Sequence, residues 1–474
     1  MDITKSILKN YILNLLYQVL IVILPLITAP YLARVLGAAR IGEYSFAQSI
    51  VSYFALFAVM GTAMYGQRYI ASCHAKGRSI LQPFVELVIL RCIGVGVALL
   101  VYFSLVFRGV SNQLLYLVAA IEILAVVFDI SWFYQGIEQF QNITVCNSVS
   151  KLLGIVCIFL FVKTQADLEL YVVFYCCSLL LGNVAQWISF PTYVKGHSLQ
   201  KPALLQHLKP TFGLFISQFA IQAYTVLDRT MIGLITKSDY ENGYYDQAQK
   251  LIKALTAVIT SIGAVMASRI AIIWHSNATD KDEQIQKLLL FSFRLVFALS
   301  LPITIGTMVI ASRFVPIFFG EGYDPVVGLI QAQSVILPLI GCSNIIGIQL
   351  LVPSGRENLL TKSVVIGAAV NICLNAFFIA KIGALGAVIA SILAELTVTC
   401  VQLYFARKEI PLGKVLSLFL RYLLLSVLIG VIGNVTAMFV GTGFGGLSAI
   451  VLVCVIAYAM ILFLLKDPIL KFNP

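Results

Sequence analysis

Charged side chains interrupt otherwise apolar stretches of this sequence, and they are the residues best placed to do chemistry. A charged group at the centre of a bilayer costs about 2.5–3.5 kcal/mol on insertion scales, so such groups tend to face a cavity or a partner. Among the basic members of this set, which also include Arg91 and Arg421, the candidate site residues are Lys151, Arg229, Lys250, Lys253 and Arg294. If they converge, they form a cationic cavity that selects anions, because the guanidinium fork of arginine matches the oxygens of phosphate and diphosphate. The alternative is a scattered set of structural ion pairs.

Three acidic residues in the apolar stretches could carry an ion. Glu122 and Glu395 lie near the middle of two of them, and Asp228 precedes Arg229. A mid-membrane carboxylate can carry a proton or Na⁺ in coupled transport, and it can equally be a hydrogen-bonded packing residue. Adjacent helical residues point about 100° apart, so Asp228 can neutralise Arg229 only indirectly. Histidines and cysteines lack metal-ligand spacing, so a coupling H⁺ or Na⁺ is the sole bound ion expected.

Long apolar stretches must position these charged residues. Of the 474 residues, 60% are hydrophobic and 11% are charged, whereas soluble proteins have roughly 25% charged residues. Runs of about 20 apolar residues match the thickness of bilayer hydrocarbon. The sequence therefore predicts an all-α polytopic membrane protein. We predict about fourteen spans, at 11–33, 44–66, 86–107, 113–134, 144–162, 169–192, 211–235, 247–268, 288–312, 327–351, 363–380, 384–405, 416–440 and 446–465.

The loops between the spans are short, and their charges indicate an orientation. The longest hydrophilic loops, near 67–85, 193–210 and 269–287, cannot house a catalytic domain, so the chain is not expected to be an enzyme. Lysine and arginine are concentrated in alternate loops, which predicts that both termini are cytoplasmic. This orientation bias accounts for the basic residues of the loops, so they are not evidence of nucleic-acid binding. Trp132–Tyr134, at the end of the fourth span, are expected to form an aromatic belt at the membrane interface.

One short phrase occurs twice in the chain. "GEYSFAQ" (Gly42 to Gln48) opens the second span, and "GYYDQAQ" (Gly243 to Gln249) opens the eighth. Six spans separate the copies, so both halves enter the membrane in the same direction and form parallel repeats. We therefore predict two six-helix lobes facing each other across a cleft, as in alternating-access transporters. The predicted domains are an N-terminal lobe at 1–200, a C-terminal lobe at 201–410 and two extra helices at 411–474.

Several of these stretches also resemble a known family. "APYLARVLGAARIGEYSFAQSI" (Ala29 to Ile50), "DISWFYQGIEQFQNIT" (Asp129 to Thr144) and the pair "LDRTMIG" and "NGYYDQAQK" resemble the Wzx-type O-antigen transporters. These are the polysaccharide repeat-unit flippases of the multidrug/oligosaccharidyl-lipid/polysaccharide (MOP) superfamily. The similarity covers roughly the first 360 residues. Positions that match the family pattern are Arg34, Gly37, Gly42, Tyr44, Asp228, Arg229, Gly243, Tyr245 and Lys250. The resemblance thus adds Arg34 to the candidate cavity residues.

The resemblance implies a transport function. Its expected substrate is an undecaprenyl-diphosphate-linked oligosaccharide, moved from the cytoplasmic to the periplasmic leaflet of a bacterial inner membrane. Family members are thought to use a cationic lumen and ion-coupled alternating access. Membrane lipids, a polysaccharide polymerase and a chain-length regulator are the other partners that it suggests; nucleic acid is not expected.

Two other functions compete with this interpretation. A drug or cation exporter of the same fold would be expected to line its cavity with carboxylates, whereas basic residues outnumber acids in the second lobe. A membrane polysaccharide polymerase would need a large outer loop, and the longest outer loop (Ser312 to Pro325) is short and partly apolar.

Overall fold

The chain folds into helices joined by short turns. The computed structural model describes residues 2–194, 201–276 and 280–470, and no strand occurs within these ranges. The predicted all-α class is therefore confirmed. The chain separates into two compact units, Met1–Thr230 and Met231–Pro474.

The first unit contains eight complete α-helices among the described residues and most of a ninth. They are α1 (Asp2–Val59), α2 (Thr62–Ala75), α3 (Leu81–Val101), α4 (Gln113–Ala119), α5 (Ile121–Phe128), α6 (Ser131–Gly136), α7 (Phe140–Phe161), α8 (Leu168–Val194) and α9 (Leu205–Thr236). α3 continues as a π-helical turn over Tyr102–Val106.

The second unit begins within α9 and contains seven further α-helices in the described part of the chain. They are α10 (Asp239–Trp274), α11 (Lys281–Phe319), α12 (Asp324–Gln333), α13 (Ile336–Asn344), α14 (Glu357–Phe405), α15 (Leu412–Phe439) and α16 (Phe444–Leu464). A π-helical segment, Ile345–Leu351, follows α13.

Eleven helical segments of the described chain are long and apolar enough to cross a membrane. Two of them hold two predicted spans each, because α1 breaks at Gly37 (φ 78°) and α14 breaks at Ile382 and Gly383 (φ 57°). α9 corresponds to the seventh predicted span, but polar residues make it less apolar than the others. All fourteen predicted spans therefore fall on helices, and the number of membrane crossings stays a prediction.

The two copies of the repeated phrase occupy similar positions within their own units. The first copy lies in α1 shortly after the break at Gly37, and the second lies in α10 shortly after that helix begins. Tyr44 and Tyr245 are buried, and Ala47 and Ala248 are fully buried. The tyrosine and the alanine of the phrase are therefore buried after a helix break in each unit, as expected for an internal repeat.

The boundary between the two compact units lies inside α9. The predicted lobe boundary, after position 200, falls at residues 195–200 outside the described chain, so the predicted lobes stay a prediction. The segment leading into α9 is bound to the first unit, since the amide of Ala203 donates to Glu86 at 2.9 Å. Further along α9, the Thr230 hydroxyl donates to Ser49 Oγ at 2.9 Å. α15 and α16, predicted as an appendage, belong to the second unit, where α15 packs against α11.

The aromatic residues Trp132–Tyr134 lie in the interior of the first unit. Their side chains are 0–1% exposed and belong to a buried cluster between α2, α3 and α6. Gly66 of α2 allows the close approach, because a β-carbon there would collide with the Trp132 ring. The prediction of an aromatic belt at the membrane interface is therefore wrong: these rings pack against neighbouring helices.

A buried arginine, Arg91, donates hydrogen bonds to residues at two helix breaks in this unit. Arg91 is fully buried, and its Nε donates to Thr62 Oγ1 at 2.8 Å. Its Nη1 donates to the Asp129 carbonyl and lies 3.5 Å from the Asp129 carboxylate. The guanidinium also lies 5.5 Å from the ring centroid of Trp132. Since Thr62 begins α2 and Asp129 follows α5, Arg91 joins the points where two helical paths are interrupted.

Candidate functional site

A polar cluster surrounds Glu122 inside the first unit. Helices α1, α5, α8 and α9 each contribute to it. We call it the Glu122 cluster and define it as Tyr44, Gln48, Glu122, Tyr175 and Arg229.

Helix geometry explains why these side chains meet. Tyr44 and Gln48 are four residues apart on α1 and so lie on one face of that helix. Glu122 lies in the first turn of α5, where the helix dipole favours a carboxylate. Arg229 lies near the end of the first unit, on the part of α9 that Thr230 attaches to α1. The cluster therefore depends on the packing of α1, α5, α8 and α9 within the first unit.

The carboxylate of Glu122 is the centre of the cluster's interactions. The Tyr44 hydroxyl donates to Glu122 Oε1 at 3.3 Å, and Cys176 Sγ lies 3.9 Å from the same oxygen. Gln48 Nε2 donates to the Tyr175 hydroxyl at 3.5 Å. Arg229 lies within electrostatic range of Glu122. The first unit therefore places a carboxylate among hydroxyl and amide groups, with a guanidinium near enough to influence its charge, an arrangement that can bind an anion, a cation or a proton.

Asp228 lies beside this cluster, on the same helix as Arg229. It is 5% exposed, and both residues lie within electrostatic range of Tyr53. The structure therefore brings three predicted site residues, Glu122, Asp228 and Arg229, into one neighbourhood of the first unit.

The other two candidates of the first unit lie elsewhere. Lys151 Nζ is 3.5 Å from the Tyr17 hydroxyl and 5.2 Å from the centroid of that ring. Arg34 has an exposed side chain on α1. The roles of Arg34 and Lys151 in substrate binding stay predictions.

The candidates of the second unit have separate surroundings. Lys250 pairs with Asp246 at 2.6 Å along α10, and Lys253 on the same helix is exposed. Glu395 is 6% exposed and accepts a hydrogen bond from Ser343 at 2.5 Å.

Arg294 lies on α11 next to a network formed with the end of the chain. It is within electrostatic range of Tyr422, whose hydroxyl donates to Asp467 at 2.9 Å. Asp467 is fully buried and pairs with Arg421 at 2.6 Å. This position suits a residue that helps to hold α15 against α11, and convergence of Arg294 with Lys250 and Lys253 stays a prediction.

Sequence reasoning missed the role of Tyr44, Gln48 and Tyr175. Tyr44 and Gln48 belong to the repeated phrase and Tyr44 also matches the family pattern, but the sequence assigns neither of them to the site and does not single out Tyr175. A usable signal was present, because Tyr44 and Gln48 put polar groups on one face of an apolar helix.

Comparison with known proteins assigns the chain to a family. The sequence model of the family described as "Polysaccharide biosynthesis protein" matches residues 7–274, more than half of the chain. The chain belongs to the polysaccharide biosynthesis protein family. The matched region of this family member contains the whole Glu122 cluster, and the resemblance to Wzx-type transporters is confirmed.

Two relatives share the sequence along most of their length. A "Putative O-antigen transporter" of Shigella dysenteriae is 21% identical over 413 residues, covering 83% of this chain and 98% of the relative. A protein of the same name from Escherichia coli (strain K12) is 24% identical over 396 residues, covering 82% and 93%.

Solved structures share the fold of this family member. The lipid II flippase MurJ in an inward closed conformation aligns with a TM-score of 0.76 at 17% identity, covering 96% of this chain and 100% of the other. An inward-facing multidrug resistance MATE family transporter of the MOP superfamily aligns with a TM-score of 0.62 at 13% identity, covering 84% and 98%. The fold is therefore that of MurJ- and MATE-like helical transporters.

Proposed function

We propose that this protein is a flippase for a lipid-linked surface polysaccharide unit. Its substrate would be an undecaprenyl-diphosphate-linked oligosaccharide, moved from the cytoplasmic to the periplasmic leaflet of a bacterial inner membrane by alternating access. The main support for this proposal is the family match over residues 7–274. Two relatives named as O-antigen transporters, aligned over 98% and 93% of their own length, support it further. Both termini would lie in the cytoplasm, and a polymerase and a chain-length regulator would act after translocation.

Arg229 would bind the diphosphate of this substrate. Its guanidinium can donate two parallel hydrogen bonds to a phosphate, which the ammonium group of lysine cannot match in geometry. Glu122 lies within electrostatic range of Arg229 and would hold it when substrate is absent. A diphosphate carries more negative charge than one carboxylate and would compete for the guanidinium. Arg34, Lys151, Lys250, Lys253 and Arg294 complete the proposed cationic contacts.

Glu122, Asp228 and Glu395 would couple transport to H⁺ or Na⁺. A substitution of Glu122 tests this role most sharply. In Glu122→Gln, the side chain can still accept the Tyr44 hydrogen bond but no longer binds a proton or attracts a cation. We expect gradient-driven transport to fall by about a hundredfold or more, the size typical for loss of one proton-transfer group. Transport into proteoliposomes should be measured with and without an imposed H⁺ or Na⁺ gradient.

Glu283→Gln is the matched control, since Glu283 forms an exposed ion pair with Lys287 on α11. It should respond to both gradients like the wild type. A wild-type gradient response in Glu122→Gln would remove Glu122 from the coupling mechanism and leave Asp228 and Glu395.

Deleting the gene in its host tests the proposed function as a whole. We expect the lipid-linked glycan to accumulate in the cytoplasmic leaflet and the surface polysaccharide to disappear, both reversed by the wild-type gene. A second deletion, of the first sugar transferase, should remove the accumulated lipid. If single repeat units still reached the cell surface, the protein would be a polymerase. If surface polysaccharide were unchanged and drug sensitivity increased, it would be an exporter.

A further inference from the structure

Three tyrosines form one aromatic group beside Glu122. The ring centroids of Tyr44 and Tyr171 are 5.4 Å apart at 85°, and those of Tyr44 and Tyr175 are 6.1 Å apart at 72°. Tyr171 and Tyr175 are 6.4 Å apart and lie on one face of α8, four residues apart. We call Tyr44, Tyr171 and Tyr175 the tyrosine face.

The members of the tyrosine face differ in exposure. Tyr44 is 6% exposed and its hydroxyl is bound to Glu122, so it forms the buried base of the group. Tyr175 is 36% exposed and its hydroxyl accepts the Gln48 amide. Helix packing alone accounts for a buried tyrosine such as Tyr44. It leaves unexplained why Tyr175, on an apolar helix, keeps much of its ring uncovered.

The neighbours of the tyrosine face argue against a lipid-facing surface. Glu122 and Arg229 bring charges into the same neighbourhood, and charged side chains within membrane spans nearly always face a cavity or the bundle interior. Flat aromatic rings next to a few convergent polar groups are typical of small-molecule sites. The uncovered part of Tyr175 is therefore available to a polar ligand.

The chemistry of the face fits a sugar ring. A pyranose has faces made of C–H groups, which pack on aromatic rings, and an edge of hydroxyls, which pair with planar amide, carboxylate and guanidinium groups. Gln48, Glu122 and Arg229 supply one of each. A diphosphate has no apolar face and needs only donors, so the tyrosines are not required for it.

We propose that the tyrosine face binds the sugars adjacent to the diphosphate of the translocated lipid, with Tyr171 and Tyr175 as the contacting rings. This inference rests on the proposed function, in which Arg229 binds the diphosphate. It divides recognition between two parts of one cluster: a guanidinium for the charged linkage and an aromatic surface for the glycan.

Two lipids separate these contributions in a binding experiment. The full-length protein in nanodiscs would be titrated with undecaprenyl diphosphate and with the lipid-linked repeat unit extracted from the host. The wild type should bind the glycan-bearing lipid more tightly. Tyr175→Ala should weaken binding of that lipid about tenfold, equivalent to about 1.4 kcal/mol, and leave binding of undecaprenyl diphosphate unchanged. Tyr175→Phe, which keeps the ring, should bind both like the wild type. Arg229→Ala should weaken both.

The control is Tyr404→Ala on α14, a 60% exposed tyrosine of the second unit, which should bind both lipids like the wild type. Equal losses for both lipids in Tyr175→Ala, or no loss, would overturn the inference. So would equal wild-type affinity for the two lipids, which leaves the proposed function standing. If the folded wild type binds neither lipid, the proposed function fails and the inference fails with it.

Discussion

Arg229→Ala is expected to abolish export of the surface glycan while the protein still inserts in the membrane at normal levels. The variant removes the guanidinium that would bind the diphosphate, and a hydrogen bond to a charged group contributes about 1.5–3 kcal/mol. Two such bonds correspond to at least about a hundredfold loss of affinity. Surface glycan should be measured by immunoblot, normalised to the amount of the transporter in the membrane fraction.

Two further variants make the Arg229 result specific. Arg229→Lys keeps the charge but loses the fork, so we expect partial export. Arg40→Ala removes a 42% exposed side chain that pairs with Glu43 and should export like the wild type. Full export by Arg229→Ala at normal expression would remove this side chain from substrate binding. Loss of the protein itself would assign Arg229 a structural role.

Arg91→Ala is expected to cause the largest loss of stability in the first unit. The change empties a fully buried site and removes the hydrogen bonds that Arg91 donates to the Thr62 hydroxyl and the Asp129 carbonyl, which keeps its bond from Trp132 Nε1. Truncating a large buried side chain to alanine typically costs about 2–5 kcal/mol, and the partly exposed Asp129 carboxylate loses its ion-pair partner as well. The melting temperature of the purified protein should fall sharply, together with the yield of folded protein.

Arg40→Ala is the control for this measurement too. It should leave the melting temperature nearly unchanged, because exposed ion pairs contribute about 0–1 kcal/mol to stability. Arg91→Lys should have a melting temperature between those of the wild type and Arg91→Ala. Lysine keeps the positive charge, but its single ammonium group cannot bond to both Thr62 and Asp129 as the guanidinium does. An unchanged melting temperature for Arg91→Ala would show that the two helix breaks are stable without this residue.

The helical class could be predicted because it follows from local composition. Few charges and long apolar runs leave no other way to satisfy the backbone in a membrane. The break at Gly37 lies between the first two predicted spans, at 34–43, but the sequence did not indicate which residue of that interval would form it. Trp132 was misinterpreted because a sequence does not show whether a ring at the end of a span meets lipid headgroups or another helix.

The candidate site could be predicted only in part, because its contacts join distant parts of the chain. Glu122 and Arg229 were chosen as charges within apolar runs, but their proximity depends on how α9 packs against α1. Arg294 was chosen by the same rule, yet its neighbours Tyr422 and Asp467 lie far along the chain. A charge in a span therefore indicates that a partner exists and does not say which one.

Reconstituted translocation tests the central claim most directly. The purified protein would be placed in liposomes with the host's lipid-linked repeat unit, and the fraction of glycan accessible to an enzyme added outside would be followed over time. The account predicts that the wild type exchanges the glycan between leaflets and that folded Arg229→Ala stays at the rate of protein-free liposomes. Translocation by Arg229→Ala at the wild-type rate, or none by the folded wild type, would contradict it.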